Sequence, residues 1–139
     1  MKVKIGYLDE FKRGAKALSK KYPSFKSDYE LFLKELEQNP MGGESLGHHT
    51  FKRRMSIASK GKGKSGGARV LTYNIQQQRE DEILVTLMTI YDKSDISNVS
   101  DAYIKSLVQQ LEPRISRGHD SYIALKHSDW HLTITTNLH

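Results

Sequence analysis

A stretch of cationic residues without any acid dominates the chemistry that this sequence can offer. Between Ser45 and Arg79 there is no aspartate or glutamate, whereas eight of the chain's 22 Lys and Arg residues lie there. The other 14 share the rest of the chain with all 16 carboxylates, so the positive charge is localised. A localised basic patch indicates a phosphate-rich partner such as RNA. Its cations are Lys52, Arg53, Arg54, Lys60, Lys62, Lys64, Arg69 and Arg79.

Cations of this kind can cleave RNA without a metal ion. The reaction needs an activated 2′-hydroxyl, in-line attack on phosphorus, stabilisation of the charged phosphorane and protonation of the leaving 5′-oxygen. Lys52 lies two residues before Arg54 on one face of a predicted strand, and a lysine crowded by cations gives up its proton more easily, so Lys52 is the expected base. Arg54 and Arg69 would hold the phosphate with planar forks, and Lys93 would act as acid or charge clamp.

Two tyrosines are candidates for stacking on a base near the scissile bond. Tyr91 is preferred to Tyr73 because it shares a strand face with Lys93, and either ring has the alternative of packing in the core. Arg53 is also expected to bind RNA. It interrupts the apolar face of its strand, and a slip of one residue would exchange Lys52 and Arg54 for Arg53.

The glycine-rich run from Ser59 to Arg69 suggests a loop that contacts RNA backbone. Lys60, Lys62 and Lys64 would make these contacts while the glycines allow close approach, and the alternative is a merely solvated loop. A nucleotide-binding P-loop is disfavoured, because its first glycine would fall on Ala58 and the following segment is strand-like rather than helical.

The hydrophobic periodicity predicts an α+β domain with an N-terminal helical hairpin and a C-terminal helix packed on a small, mainly antiparallel sheet. A short opening strand is followed by a helix that Tyr22-Pro23 ends, and by a second helix that stops at Asn39-Pro40. The lysines of this hairpin, among them Lys12, Lys16, Lys20 and Lys34, are expected on a solvated face. Strands are predicted from Thr50, from Arg69 to Ile75 and from Ile83 to Tyr91, and the last helix should end before Pro113.

Several of these segments, in this order, resemble the RelE/HigB superfamily of bacterial toxins, and most of all its HigB-like branch. The segments are Leu18 to Ser24, the Asn39-Pro40 stop, Phe51 to Met55, Ser59 to Tyr73 and Thr89 to Asp95. The resemblance covers residues 1–112 and leaves 113–139 as a C-terminal extension, which is compatible with a weak hairpin.

The resemblance implies a toxin of a toxin-antitoxin system that cleaves mRNA at the ribosomal A site and so inhibits translation. It also implies a cognate antitoxin, often a helix-turn-helix protein, as partner, and it supports the roles given to Lys52, Arg54 and Arg69. The alternative is a relative that only binds, either a ParE-like gyrase inhibitor or an inactive toxin retained as antitoxin partner.

Composition is consistent with this interpretation. A chain of 139 residues with 37% hydrophobic content suits one domain. There is no cysteine, and no apolar run approaches a signal peptide or a membrane span, so we expect a cytoplasmic protein with no membrane association. No cofactor is expected, and metal binding by His127 and His131 is disfavoured because no further ligand set accompanies them.

Overall fold

The computed structural model describes residues 2–61, 63–77, 81–96 and 98–116, with backbone only for residues 64, 77 and 112–116. These residues form an α+β fold in which three helices pack on a mixed five-stranded sheet. The elements are β1 (Lys2–Tyr7), α1 (Asp9–Lys21), α2 (Phe25–Gln38), β2 (Glu44–Gly47), β3 (Thr50–Met55), a 3₁₀ turn (Ala58–Lys60), the single-turn α3 (Gly63–Gly66), β4 (Ala68–Gln77), β5 (Glu82–Asp92) and α4 (Asp101–Ser116).

The sheet has the strand order β1-β5-β4-β3-β2. Strand β1 runs parallel to β5, and the three remaining pairs are antiparallel. All eleven residues of β5 are buried, as expected for a near-continuous apolar run at the centre of a sheet that is covered on both faces. The register places Arg54 opposite Arg69 and Arg69 opposite Tyr91, which aligns these three residues across β3, β4 and β5.

Each face of the sheet has its own core. The first core joins the sheet to α1 and α2 through side chains such as Phe11, Phe25 and Val85. At Gly14 the packing is so close that a Cβ would lie 2.7 Å from the carbonyl oxygen of Ile90, so α1 rests directly on β5. The second core lies on the opposite face, where Leu107 and other residues of α4 pack on Leu71, Tyr73, Met88 and Tyr91.

The predicted helices and the three later strands are confirmed, but three details differ. Strand β2, a short and mostly exposed edge strand, was not predicted. The segment expected to be an open loop contains a 3₁₀ turn and α3. The predicted helix end before Pro113 was wrong, because α4 continues to Ser116. The fixed φ of proline, about −65°, is a helical value, so the residue can lie in a helix although it lacks the backbone N–H donor.

Two sequence predictions fall partly or wholly outside the described residues. The predicted hairpin beyond Pro113 lies almost entirely in residues 117–139, which are outside the described part of the chain, and the boundary at residue 112 stays a prediction. Within the described part, no helix has both the length and the apolar character needed to cross a bilayer.

Candidate functional site

Four of the five residues expected to act in catalysis line one open cleft. The cleft has a volume of about 560 Å³ and lies where β2 and β3 meet the ends of β4 and β5. Lys52, Arg54, Arg69 and Lys93 supply its positive charge. The other lining residues are Glu35, Asn39, Gly42, Gly43, Glu44 and Arg53.

Strand register explains why residues far apart in sequence meet here. Arg54 on β3 and Arg69 on β4 are cross-strand partners, so their side chains leave the same face of the sheet. Lys52 is two residues from Arg54 and therefore shares that face. Lys93 directly follows β5, and its backbone N–H donates to the carbonyl of Gly67 at 3.0 Å, which fixes the end of β5 beside the start of β4.

Arg69 is the most constrained cation of the cleft. Only 5% of its surface is exposed, and its guanidinium donates to the carbonyl oxygens of Ser65 at 3.0 Å and Ala68 at 3.2 Å. Burial lowers the pKa of Arg69, the neighbouring charge of Arg54 lowers it further, and Tyr91 acts in the opposite direction. Like charges placed opposite each other destabilise a sheet, so the Arg54–Arg69 pair is an arrangement that a bound anion would stabilise.

Glu44 is a cleft residue that the sequence analysis missed. It lies opposite Lys52 in the β2–β3 pair, and its carboxylate is 3.2 Å from the Lys52 ammonium. The expected crowding of Lys52 by cations is therefore interrupted by an acid. Glu44 directly precedes the acid-free window, and only the unpredicted strand β2 brings it to the site.

Neither tyrosine is a lining residue of the cleft. Tyr91 is buried in the core beneath α4, and its hydroxyl has no hydrogen-bond partner among the described residues. Burial raises the pKa of Tyr91, Arg69 lowers it and Glu44 raises it. Tyr91 is the cross-strand partner of Arg69, so it lies beside the cationic end of the cleft. Tyr73 is also buried and meets His49 edge-on, with 5.7 Å between ring centroids. Both rings occupy the packing positions that were the alternative to base stacking.

Arg53 lies on the opposite strand face from Lys52 and Arg54. Its guanidinium donates to the carbonyl of Asn39 at 2.7 Å and lies 5.8 Å from the ring centroid of Phe32. Burial lowers the pKa of Arg53, and the charge of Glu35 opposes that effect. The side chain therefore ties β3 to the end of α2, which explains how a charged residue replaces an apolar one on the core face.

Two glycines allow the chain between α2 and β2 to pass close to β3. A Cβ at Gly42 would lie 2.9 Å from a guanidinium nitrogen of Arg53, and a Cβ at Gly43 would lie 2.7 Å from the carbonyl oxygen of Lys52. Gly43 also has φ +104°, which favours glycine. This close passage forms the wall of the cleft nearest to α2.

The lysines of the glycine-rich segment are placed differently from the cleft cations. Lys60 forms an ion pair with Asp92 at 2.5 Å and bonds to the hydroxyl of Ser94 at 2.9 Å, and only 6% of its side chain is exposed. Its expected role as an RNA contact therefore has to compete with an internal structural contact. Lys62 lies outside the described residues, as does the side chain of Lys64.

The chemistry available at the cleft is that of cations and one or two carboxylates. Within the described residues, no group of three or more His, Asp or Glu side chains could hold a metal ion. No protein-family model matches the sequence.

Proposed function

We propose that the protein is a toxin of the RelE/HigB type, an endoribonuclease that cleaves mRNA on the ribosome and so inhibits translation. The observation that carries the proposal is the convergence of Lys52, Arg54, Arg69 and Lys93 on one open cleft. The α+β arrangement, with two N-terminal helices on one face of the sheet and α4 on the other, is compatible with a RelE-like fold.

In this proposal Arg54 and Arg69 bind the scissile phosphate. Arg69 is held by backbone carbonyls and needs no rearrangement, whereas Arg54 is exposed and can adjust to the ligand. Preorganised donors stabilise charge that develops in the transition state, here the extra negative charge of the phosphorane. Guanidinium forks suit this task because they bind two phosphate oxygens at once.

Proton transfer falls to the groups that flank the arginines. The Lys52–Glu44 pair lies on one side, and either Lys52 or the carboxylate bonded to it removes the proton of the 2′-hydroxyl. Lys93 lies at the cleft on the β5 side and donates to, or neutralises, the leaving 5′-oxygen. The reaction produces a 2′,3′-cyclic phosphate and a 5′-hydroxyl end, and no metal ion enters a step.

The cations that line the cleft suit a substrate whose orientation the ribosome supplies. The cleft offers cations that bind any phosphate, but Tyr73 and Tyr91 are buried and present no stacking surface for a base. Phosphate contacts position a nucleic acid without fixing one nucleotide for attack. A ribosome that holds the codon in a defined conformation supplies the missing orientation.

The further elements of the proposal follow the family resemblance. A cognate antitoxin, in many cases a helix-turn-helix protein, would bind and silence the toxin, and both would act in the cytoplasm. Residues 1–112 would form the toxin domain, without a cofactor.

Primer extension on ribosome-bound and free message tests the proposal. Wild-type protein should cut only the message held by a translating ribosome, and Arg54→Ala should lose on the order of 10²-fold in single-turnover rate because one electrostatic stabiliser is removed. Arg54 is exposed, so this variant should keep its fold. Equal cleavage of free message, or inhibition of gyrase with intact message, would overturn the proposal.

A further inference from the structure

A second acid-free basic segment lies far from the cleft residues in sequence. Residues 11–27 contain no aspartate or glutamate, and they include six lysines and arginines. These are Lys12, Arg13, Lys16, Lys20, Lys21 and Lys26. The first acid after them, Asp28, is buried, and its carboxylate accepts bonds from the hydroxyl of Ser24 and the backbone N–H of Ala58. On the N-terminal side, the exposed Asp9 lies one helical turn before Arg13, so the positive charge of this segment is only partly balanced at the surface.

Helix α1 presents three of these six cations on one exposed face. Its apolar residues Phe11, Ala15 and Leu18 are buried against the sheet, and Arg13, Lys16 and Lys20 are exposed on the far side. Among the described residues, none of these three side chains takes part in an ion pair or hydrogen bond. We name Arg13, Lys16 and Lys20 the α1 basic face.

Helix stability does not explain this face. Lys12, Lys16 and Lys20 follow one another at intervals of four residues, and like charges at that spacing destabilise a helix. The helix dipole favours only the cations of the last turn, Lys20 and Lys21. An ordinary solvated face mixes the signs, as α2 does with Glu30, Lys34 and Glu37. A face whose cations repel one another, and which has no ion pair with the part of the chain that the structure describes, indicates an external anion.

The two basic segments meet in space. The turn between α1 and α2 contacts the start of the glycine-rich segment, where the Ser59 N–H donates to the Ser24 hydroxyl at 2.9 Å. The acids at this junction, Asp28 and Asp92, are buried and bonded within the protein. Asp92 pairs with Lys60 and with Lys21, and neither of the two acids at this junction forms an ion pair with Arg13, Lys16 or Lys20.

We propose that the α1 basic face is a second nucleic-acid site, which binds the phosphodiester backbone of a folded RNA. Arg13 and Lys20 are seven residues apart, about 10 Å along the helix axis, which matches roughly three phosphates of one strand. The site holds RNA through charge alone and takes no part in cleavage. The choice of RNA over another polyanion rests on the proposed function, whereas the existence of a polyanion site does not.

A pair of matched triple variants tests the site. Arg13→Gln/Lys16→Gln/Lys20→Gln removes the α1 basic face, and Lys2→Gln/Lys34→Gln/Lys105→Gln removes three exposed cations elsewhere. Both lower the net charge by the same amount, and glutamine is a good helix former. The probe is a fluorescent 20-base-pair RNA hairpin, and its affinity is measured by anisotropy at several salt concentrations.

The α1 variant should bind the hairpin on the order of 10-fold or more weakly at low salt, and the slope of log K against log salt should fall by roughly two to three, about one per lost phosphate contact. The control triple should stay close to wild type. Arg13→Lys/Lys16→Arg/Lys20→Arg keeps the charges and should restore binding, which separates the effect from misfolding.

Equal losses in the α1 variant and the control triple would overturn the proposal, because only net charge would then matter. So would an unchanged salt slope in the α1 variant. Preferential binding of phosphatidylserine vesicles or of polyglutamate through the same three residues would overturn the choice of RNA. The assay measures binding and not cleavage. Its result for the α1 basic face therefore does not depend on whether the cleft cleaves message.

Discussion

Asp92 lies at the centre of a buried polar network that joins three parts of the fold. Its carboxylate accepts from the Lys60 ammonium and the Tyr22 hydroxyl, both at 2.5 Å, and from the backbone N–H of Ser94 at 2.9 Å. Lys21 is 3.6 Å away and exposed. The carboxylate therefore connects the end of α1 and the 3₁₀ turn to the end of β5, beside Lys93.

Replacing Asp92 with Asn should destabilise the protein strongly. The side chains of Asp92 and Lys60 are 1% and 6% exposed, so the substitution leaves a buried ammonium without its counter-ion. Removing one partner of a buried pair costs about 3–5 kcal/mol. For a chain of this length that corresponds to a fall in Tm of roughly 10–20 °C. Asp95→Asn, next to the network but exposed, is the matched control and should change stability by less than about 0.5 kcal/mol.

Asp92→Asn should also change how the stability of the fold depends on pH. Burial raises the pKa of Asp92, but hydrogen bonds from Lys60, Tyr22 and the Ser94 N–H outweigh it and hold the pKa well below its usual range. A carboxyl with a depressed folded pKa stabilises the fold above its unfolded value of about 3.9, and this contribution is lost as the pH falls through the folded value. Wild-type stability should fall below about pH 5 more steeply than that of Asp92→Asn.

Urea unfolding of a double-mutant cycle measures the interaction directly. Lys60→Met removes the ammonium with little loss of volume, so the double variant Asp92→Asn/Lys60→Met no longer buries an unpaired charge. It should be more stable than the sum of the single changes predicts, by at least about 1 kcal/mol. An Asp92→Asn protein as stable as the Asp95→Asn control, or strictly additive single effects, would refute the reasoning.

Three further changes test other parts of the structure. Gly67→Ala would place a Cβ 2.1 Å from the Met55 carbonyl oxygen, so differential scanning should show a loss of at least about 1–3 kcal/mol; an unchanged Tm would contradict this packing. Tyr103→Phe removes hydroxyl bonds to Glu10 and to Thr89, at a cost of about 1–2 kcal/mol. Burial and the Glu10 bond raise the pKa of Tyr103 to about 12, so wild-type stability should fall between about pH 10 and 12 and the fall should be smaller in the Phe variant. Glu44→Gln should leave stability within about 0.5 kcal/mol, because Glu44 is 63% exposed, and should slow single-turnover cleavage by about 10² or more; an unchanged rate would assign the proton transfer to Lys52 alone.

The sequence predicted those features that depend on local pattern. The apolar spacing of Phe11, Ala15 and Leu18 located α1, and the β-branched run of β5 located the centre of the sheet. Alternation along β3 placed Lys52 and Arg54 on one face, and pairing with β4 then brought Arg69 beside them. Arg53 did not shift this register, because Asn39 and Phe32 accommodate its side chain on the helical face.

The features that depend on distant partners could not be predicted. The lysine pattern of the glycine-rich segment makes Lys60 equivalent to Lys62 and Lys64, and only the fold reveals that Asp92, 32 residues away, binds it. Glu44 lies at the cleft because it belongs to β2, an edge strand of four residues that is too short and too polar to show a hydrophobic period in the sequence. The positions of the two tyrosines were ambiguous because aromatic residues in strands are common both in the core and at the surface. Helix α4 covers Tyr91, and the ring is therefore part of the core.

The chemistry of the new RNA ends tests the central claim most directly. Message cut on the ribosome by wild-type protein should carry a 2′,3′-cyclic phosphate and a 5′-hydroxyl, since those ends require attack by the adjacent 2′-hydroxyl. A message with a single 2′-deoxy nucleotide at the cleavage position should resist cutting there, and Arg54→Ala should yield the same ends more slowly. Ends with a 5′-phosphate, or undiminished cutting at the 2′-deoxy position, would contradict the proposed role of the cationic cleft.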